Sequence, residues 1–195
     1  NVGVAKNHYR LMARRKCGSC IITFDAKYVE KAVKIGADAI KTTYFGLVPL
    51  EEYRMKQISK IARESDEWGI PYLVEVVPTD SSGKVLYNIE KIKQAARIGA
   101  ELGGDLVKTA YPGDASQFKQ IVDSCPVPIV VMGGPKMERD IQVLMIIRGC
   151  IDAGGAGASI GRNIWQHEDP VKMTKAIAKI IHENATVDEA FEALK

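Results

Sequence analysis

The sequence is poor in the residues that build metal and redox centres. Its 195 residues include three histidines and four cysteines, and neither type gathers into a ligand set. His8, His167 and His182 stand far apart, with no other ligand at metal-binding spacing. Cys17 and Cys20 form a Cys-Gly-Ser-Cys pair, the outline of a redox motif or of half a zinc site, but no second half accompanies it. Reduced, unremarkable thiols are the preferred reading, with no metal and no cofactor. No apolar run reaches the roughly 18 residues that span a bilayer. The opening segment NVGVAKNHYRLMARRK lacks the apolar core and small-residue cleavage site of a secretory leader. A cytoplasmic protein without a membrane partner is expected. Charge of one sign is scarce too, since the net charge is only +3 and acids and bases interleave. Lys6, Arg10, Arg14, Arg15 and Lys16 are the exception, in a stretch without an acid. That pattern fits a phosphate- or nucleic-acid-binding arm. A solvated helix face is preferred, because no interleaved aromatics or DNA-reading motif accompany it, and no nucleic-acid partner is expected.

What is present is an ordinary folded domain, 46% hydrophobic and 26% charged, read as a single unit over residues 1–195. From residue 36 onward, short apolar runs alternate with amphipathic stretches, the order that makes parallel strands joined by crossover helices. Strands are expected at Asp38 to Thr42, Tyr72 to Val77, Asp105 to Thr109, Pro128 to Met132 and Ala156 to Ile160. Helical spacing links Met55, Ile58, Ile61, Ala62, Ser65 and Trp68, and again Ile89, Ile92, Ala95, Ala96 and Leu102. Further helices are predicted to begin at Asp114, near Glu138 and at Asp169, where Pro170 takes the favoured first position. A last one begins at Thr186, where Glu189 completes a capping box.

The segment GADAIKTTYFG, from Gly36 to Gly46, is echoed by GGDLVKTAYPG, from Gly103 to Gly113. Two strand ends of the same kind favour an α/β barrel of the TIM (β/α)8 type over a dinucleotide-binding sheet, whose glycine fingerprint after a first strand is missing. The count, however, reaches only about six strands, including a doubtful one at Cys20 to Phe24, against the eight of a complete barrel. The barrel is therefore read as lacking its N-terminal strands, with residues 1–24 atypical or incomplete. If it is open, those residues or a neighbouring subunit must cover its exposed strand edges.

Lys108 ends a strand expected to be buried on both faces, where barrel enzymes place catalytic groups. Desolvation there would make its neutral amine available to attack a carbonyl, and Lys41, at the same place in the echo, could supply a second charge. The alternative for either lysine is a side chain that leaves the strand end for solvent. The loops MGGPK, from Met132 to Lys136, and GASIGRN, from Gly157 to Asn163, follow the last two strands. Backbone amides at Gly133, Gly134 and Gly161 with the charge of Arg162 would suit a phosphate. Plain tight turns are the alternative.

The stretches GAELGGDLVKTAYPGD, CPVPIVVMGGPK and GGAGASIGRNIWQHEDP together resemble the archaeal-type class I fructose-bisphosphate aldolase family. Its relatives include the thiolase of the phosphorylated autoinducer-2 signal and the amino-dideoxyheptulosonate synthases. The resemblance runs from about residue 27 to the end. It implies a Schiff-base enzyme acting on a phosphorylated keto-sugar-like small molecule, in a homo-oligomer. Lys108 is similar to the Schiff-base lysine, and Gly133, Gly134, Lys136, Gly161 and Arg162 match phosphate-binding positions. Three features depart from the family, and one of them is Lys41, which is atypical for its position. Val77 stands where its aldolases resemble one another in a tyrosine, leaving Glu75, on the same strand face, as the nearby acid or base. The first family strand, with its Asp-His-Gly segment, has no counterpart. A thiolase or another aldolase specificity is thus as much expected as fructose-bisphosphate cleavage. A deoxyribose-phosphate-type aldolase and an inactive phosphate-binding barrel subunit are the alternatives.

Overall fold

A computed structural model of the chain describes residues 2–5, 20–22, 25–46 and 51–195. The basic segment from Lys6 to Lys16, with His8 and Cys17, lies outside them, as does the end of the strand expected to run to Phe24. Strand β1 (Val2–Ala5) is followed by β2 (Cys20–Ile22), a 3-10 turn (Ala26–Tyr28), α1 (Val29–Lys34), β3 (Ala39–Gly46), α2 (Glu52–Trp68), β4 (Tyr72–Pro78), α3 (Ile89–Glu101) and β5 (Leu106–Thr109). Then come α4 (Ala115–Asp123), β6 (Ile129–Met132), α5 (Asp140–Asp152), β7 (Gly157–Ile160), α6 (Arg162–Trp165), α7 (Pro170–Glu183) and α8 (Val187–Glu192).

These strands form one sheet in the order β1-β7-β6-β5-β4-β3-β2. From β2 to β7 the strands are parallel and neighbours in sequence are neighbours in space, as in a barrel wall. Among the described residues β1 and β2 do not pair, so the wall is a partial barrel. Val2–Ala5, which no periodicity in the sequence marks as a strand, lies antiparallel along the edge of β7. That edge would otherwise present unpaired amides and carbonyls.

Strand β4 shows why the fold is legible. Its YLVEVVP run is buried at every position, as expected of a parallel strand covered on both faces. Tyr72, Val74 and Val76 face outward, into a cluster with Ile58 and Ile61 of α2 and Ala95 of α3. Leu73 faces inward and packs with Ala39, Leu106 and Val130 as an apolar floor inside the barrel. The predicted caps form at Asp114, which accepts from the Gln117 amide, at Asp169, which accepts from Val171 and Lys172, and at Thr186 with Glu189. Helix α5, expected near Glu138, starts at Asp140, where the Gln142 side chain accepts from the Arg139 amide at 3.2 Å and makes Arg139 the cap. Strand β3 runs to Gly46 rather than ending at Thr42, since its long partner β4 pairs with it as far as Pro78.

Candidate active site

Alternation along the strands decides which side chains enter the barrel. The next inward residue after Ala39 on β3, after Leu73 on β4 and after Leu106 on β5 is Lys41, Glu75 and Lys108 respectively, only 3%, 3% and 7% exposed. All three charges meet. Lys108 Nζ lies 2.8 Å from Glu75 Oε1, and Lys41 Nζ lies 2.5 Å from Glu75 Oε2. Thr43, two residues after Lys41 and on the same face, closes the arrangement: its hydroxyl accepts from Lys41 Nζ at 2.6 Å and donates to Glu75 Oε2 at 2.9 Å. Thr42 points the other way, to the Tyr72 hydroxyl at 2.6 Å.

A buried carboxylate is tolerated only when compensated. Burial, the strongest single influence on Glu75, favours its neutral form. The charges of Lys108 and Lys41 and the hydrogen bonds they donate together outweigh it, holding the carboxyl below its ordinary range. The anion is thus held from both sides, one oxygen by Lys41 and Thr43, the other by Lys108.

Above this cluster opens a cavity of about 300 Å³ whose wall includes Glu75, Lys108, Gly133, Gly134, Gly161 and Arg162. Ser159, inward on β7, joins them. The two glycine loops sit close because Gly133 has no side chain: a Cβ there would come within 2.6 Å of Ile160 Cγ2. Gly134 takes a φ of 64°, which glycine adopts without strain. The loop between β4 and α3 forms another wall. Asp80 accepts from the Ser82 and Lys84 amides at 2.9 and 3.0 Å, and Thr79 bridges to Val85. This turn places Val85 and Tyr87 at the mouth, where Phe45 and Trp165 also stand.

Of the residues singled out in the sequence, six share this cavity and two do not. Lys41 lies behind Glu75, outside the wall. The Lys136 side chain is directed to Asp140, at 3.8 Å, and that same carboxylate meets His167 at 3.1 Å. The sequence reading missed Thr43 and Ser159, both discoverable by counting two residues along a strand from a known inward position. It also missed Asn163, fully buried between the loops, for which no local signal exists. A second hollow, of about 380 Å³ beside Asp25, Tyr53 and Lys60, holds none of these groups. Among the described residues, no three His, Cys, Asp or Glu side chains come together as a metal site, and no helix is long and apolar enough to cross a membrane.

Comparisons with known proteins identify relatives of the chain. An uncharacterised aldolase of Saccharolobus solfataricus is 35% identical over 171 residues, 86% of this chain and 63% of that protein. The 2-amino-3,7-dideoxy-D-threo-hept-6-ulosonate synthase 1 of Archaeoglobus fulgidus is 34% identical over 164 residues, 84% of this chain and 60% of the synthase. The crystal structure of an archaeal fructose 1,6-bisphosphate aldolase superposes with a TM-score of 0.72 at 33% identity, covering 80% of this chain and 62% of the aldolase. An archaeal aldolase with its catalytic lysine covalently bound to the carbinolamine intermediate of the substrate gives 0.71 at 33% identity, over 78% of this chain and 61% of its own. The chain thus spans less than two thirds of the length of each of these relatives. The family model described as DeoC/LacD family aldolase matches residues 6–167, and the chain belongs to that family.

Proposed function

We propose that this chain carries the reacting centre of a class I aldolase or related transferase that forms a Schiff base with a phosphorylated keto compound. The observation that supports this most is the Lys108–Glu75 contact of 2.8 Å in the wall of a cavity that also presents Gly133, Gly134, Gly161 and Arg162. The substrate phosphate sits against the two glycine loops, with Arg162 as counter-charge. The carbonyl then reaches Lys108. Lys136, turned toward Asp140, contributes long-range charge rather than a contact.

The neutral Lys108 amine attacks the carbonyl carbon, its electron pair forms the C–N bond, and the carbonyl π pair moves to oxygen. Glu75 Oε1 takes one proton from the Lys108 ammonium before the attack. After it the nitrogen passes a second proton to the alkoxide, giving the carbinolamine, and Glu75 returns the first to the hydroxyl as water leaves and the iminium forms. Glu75, a carboxylate again, or a water takes the proton of the hydroxyl on the β carbon; that carbon becomes the aldehyde as the Cα–Cβ bond breaks and its electrons move to the iminium nitrogen, leaving an enamine. Protonation and hydrolysis of the enamine free the second product and Lys108. Lys41 stays bound to Glu75 throughout, so the carboxylate is never buried without a counter-ion when Lys108 is neutral. Two lysines on one carboxylate fit a deoxyribose-phosphate-type aldolase equally, and the choice of substrate separates the two readings.

The test is an intact mass after borohydride reduction in the presence of a panel of phosphorylated ketoses and deoxy-sugar phosphates. A reduced adduct on Lys108 is expected, and the compound that yields it names the substrate class. A chain that forms no adduct with any of them is an inactive barrel subunit.

A further inference from the structure

Asn163 has no exposed surface and does not itself line the cavity, but its side chain bonds residues that do. The hydrogen bonds of its side chain all cross to the segment that follows β6. Its Nδ2 donates to the Gly133 carbonyl at 2.7 Å and to the Pro135 carbonyl at 3.0 Å, while its Oδ1 accepts from the Met137 amide at 2.8 Å. One amide side chain therefore fixes residues 133 to 137 from inside. Its own backbone continues directly from Gly161 and Arg162.

We infer that Asn163 is the positioning residue that joins the two loops into a single anion-binding unit and so sets the preference for phosphorylated over unphosphorylated carbonyl compounds. Two carbonyls pointing at one spot need a donor between them, and an amide nitrogen supplies both hydrogens. With those carbonyls tied inward, the segment is held where Gly133 and Gly134 line the cavity together with Arg162. Without the tie, the loop has alternative backbone arrangements, and part of the phosphate binding energy is spent on ordering it. The inference rests on the reading of Lys108 as the Schiff-base lysine and of the loops as the phosphate site.

The experiment measures borohydride trapping rates with dihydroxyacetone phosphate and with dihydroxyacetone, for the parent chain, Asn163→Leu and Asn163→Asp. Asn163→Leu removes all three bonds at similar volume. Asn163→Asp retains the acceptor for Met137 but sets an oxygen against two carbonyls. The parent chain is expected to trap the phosphorylated ketone faster, and both variants should lower the ratio of the two rates by roughly 10- to 100-fold, the usual effect of misplacing a binding group by about 1 Å. A merely structural role would lower both rates together by the folded fraction and leave the ratio unchanged, which would overturn the inference. Loss of the fold in both variants would overturn it as well, making Asn163 a core residue only. Absence of any adduct in the parent chain would remove the reading beneath it, and the inference with it.

Discussion

The segments Gly36 to Gly46 and Gly103 to Gly113 are close copies, each with a Lys-Thr on a strand of the same wall, yet the fold gives their lysines different surroundings. Lys108 is paired in the ladder with Glu75 itself, whereas Lys41 is paired with Leu73, and it is Thr43 that stands level with Glu75. The stagger between neighbouring strands sets Lys41 two residues deeper, roughly 6.6 Å along the strand. It therefore reaches Glu75 from below and is sealed in by Thr43, while Lys108 reaches it from the side that opens into the cavity. Register, not residue type, separates the candidate nucleophile from its electrostatic support.

Replacing each lysine in turn is the strongest way to break that comparison. Lys108→Met is expected to reduce borohydride trapping to background while the chain stays folded, because Glu75 keeps Lys41 as its partner. Trapping that survives this change and is instead lost in Lys41→Met would reverse the two roles. Lys41→Met should leave an adduct on Lys108 and slow its formation by roughly 10- to 100-fold, through a less well-placed Glu75.

Removing the shared anion should expose what the two lysines have in common. Glu75→Gln buries two ammonium groups with no counter-charge and is expected to cost about 3 to 5 kcal/mol, the range for breaking a buried ion pair. Denaturant unfolding at neutral pH measures it. The same variant gives a pH signature. The Glu75 carboxyl is held below its ordinary 4.5 in the folded chain, so its contribution is complete above that pH and disappears as the pH falls through the folded-state value. The stability gap between the parent chain and Glu75→Gln should accordingly narrow on acidification below about pH 4.5. A gap that stays constant would show that the carboxylate charge is not what stabilises the cluster.

The smallest effect belongs to Thr43→Val, which keeps the shape and removes the hydroxyl between Lys41 and Glu75. A loss of about 1 kcal/mol is expected, the net worth of such a hydrogen bond, with a trapping rate within a few-fold of the parent chain. A large fall in rate would move Thr43 from support into the proton path.

Much of the fold can be derived from local pattern. The apolar runs at β3 to β7, the helical spacing of α2 and α3 and the caps at Asp114, Asp169 and Thr186 are properties of short stretches, because pleat, helical turn and orphan amides are all local constraints. The inward position of Lys108 and Glu75 follows from the same two-residue period. Strand β1 does not, since Val2–Ala5 has no alternating partner in sequence and is specified by the bare edge of β7. Nor do the bonds of Asn163 to a loop nearly thirty positions earlier, or the turning of Lys136 away to Asp140. Above all, two nearly identical Lys-Thr strand ends carry no information about which lysine opens into the cavity. Composition and periodicity determine which residues face inward. The depth at which each meets Glu75 is set by the stagger of the parallel ladder, which exists only once the strands are paired.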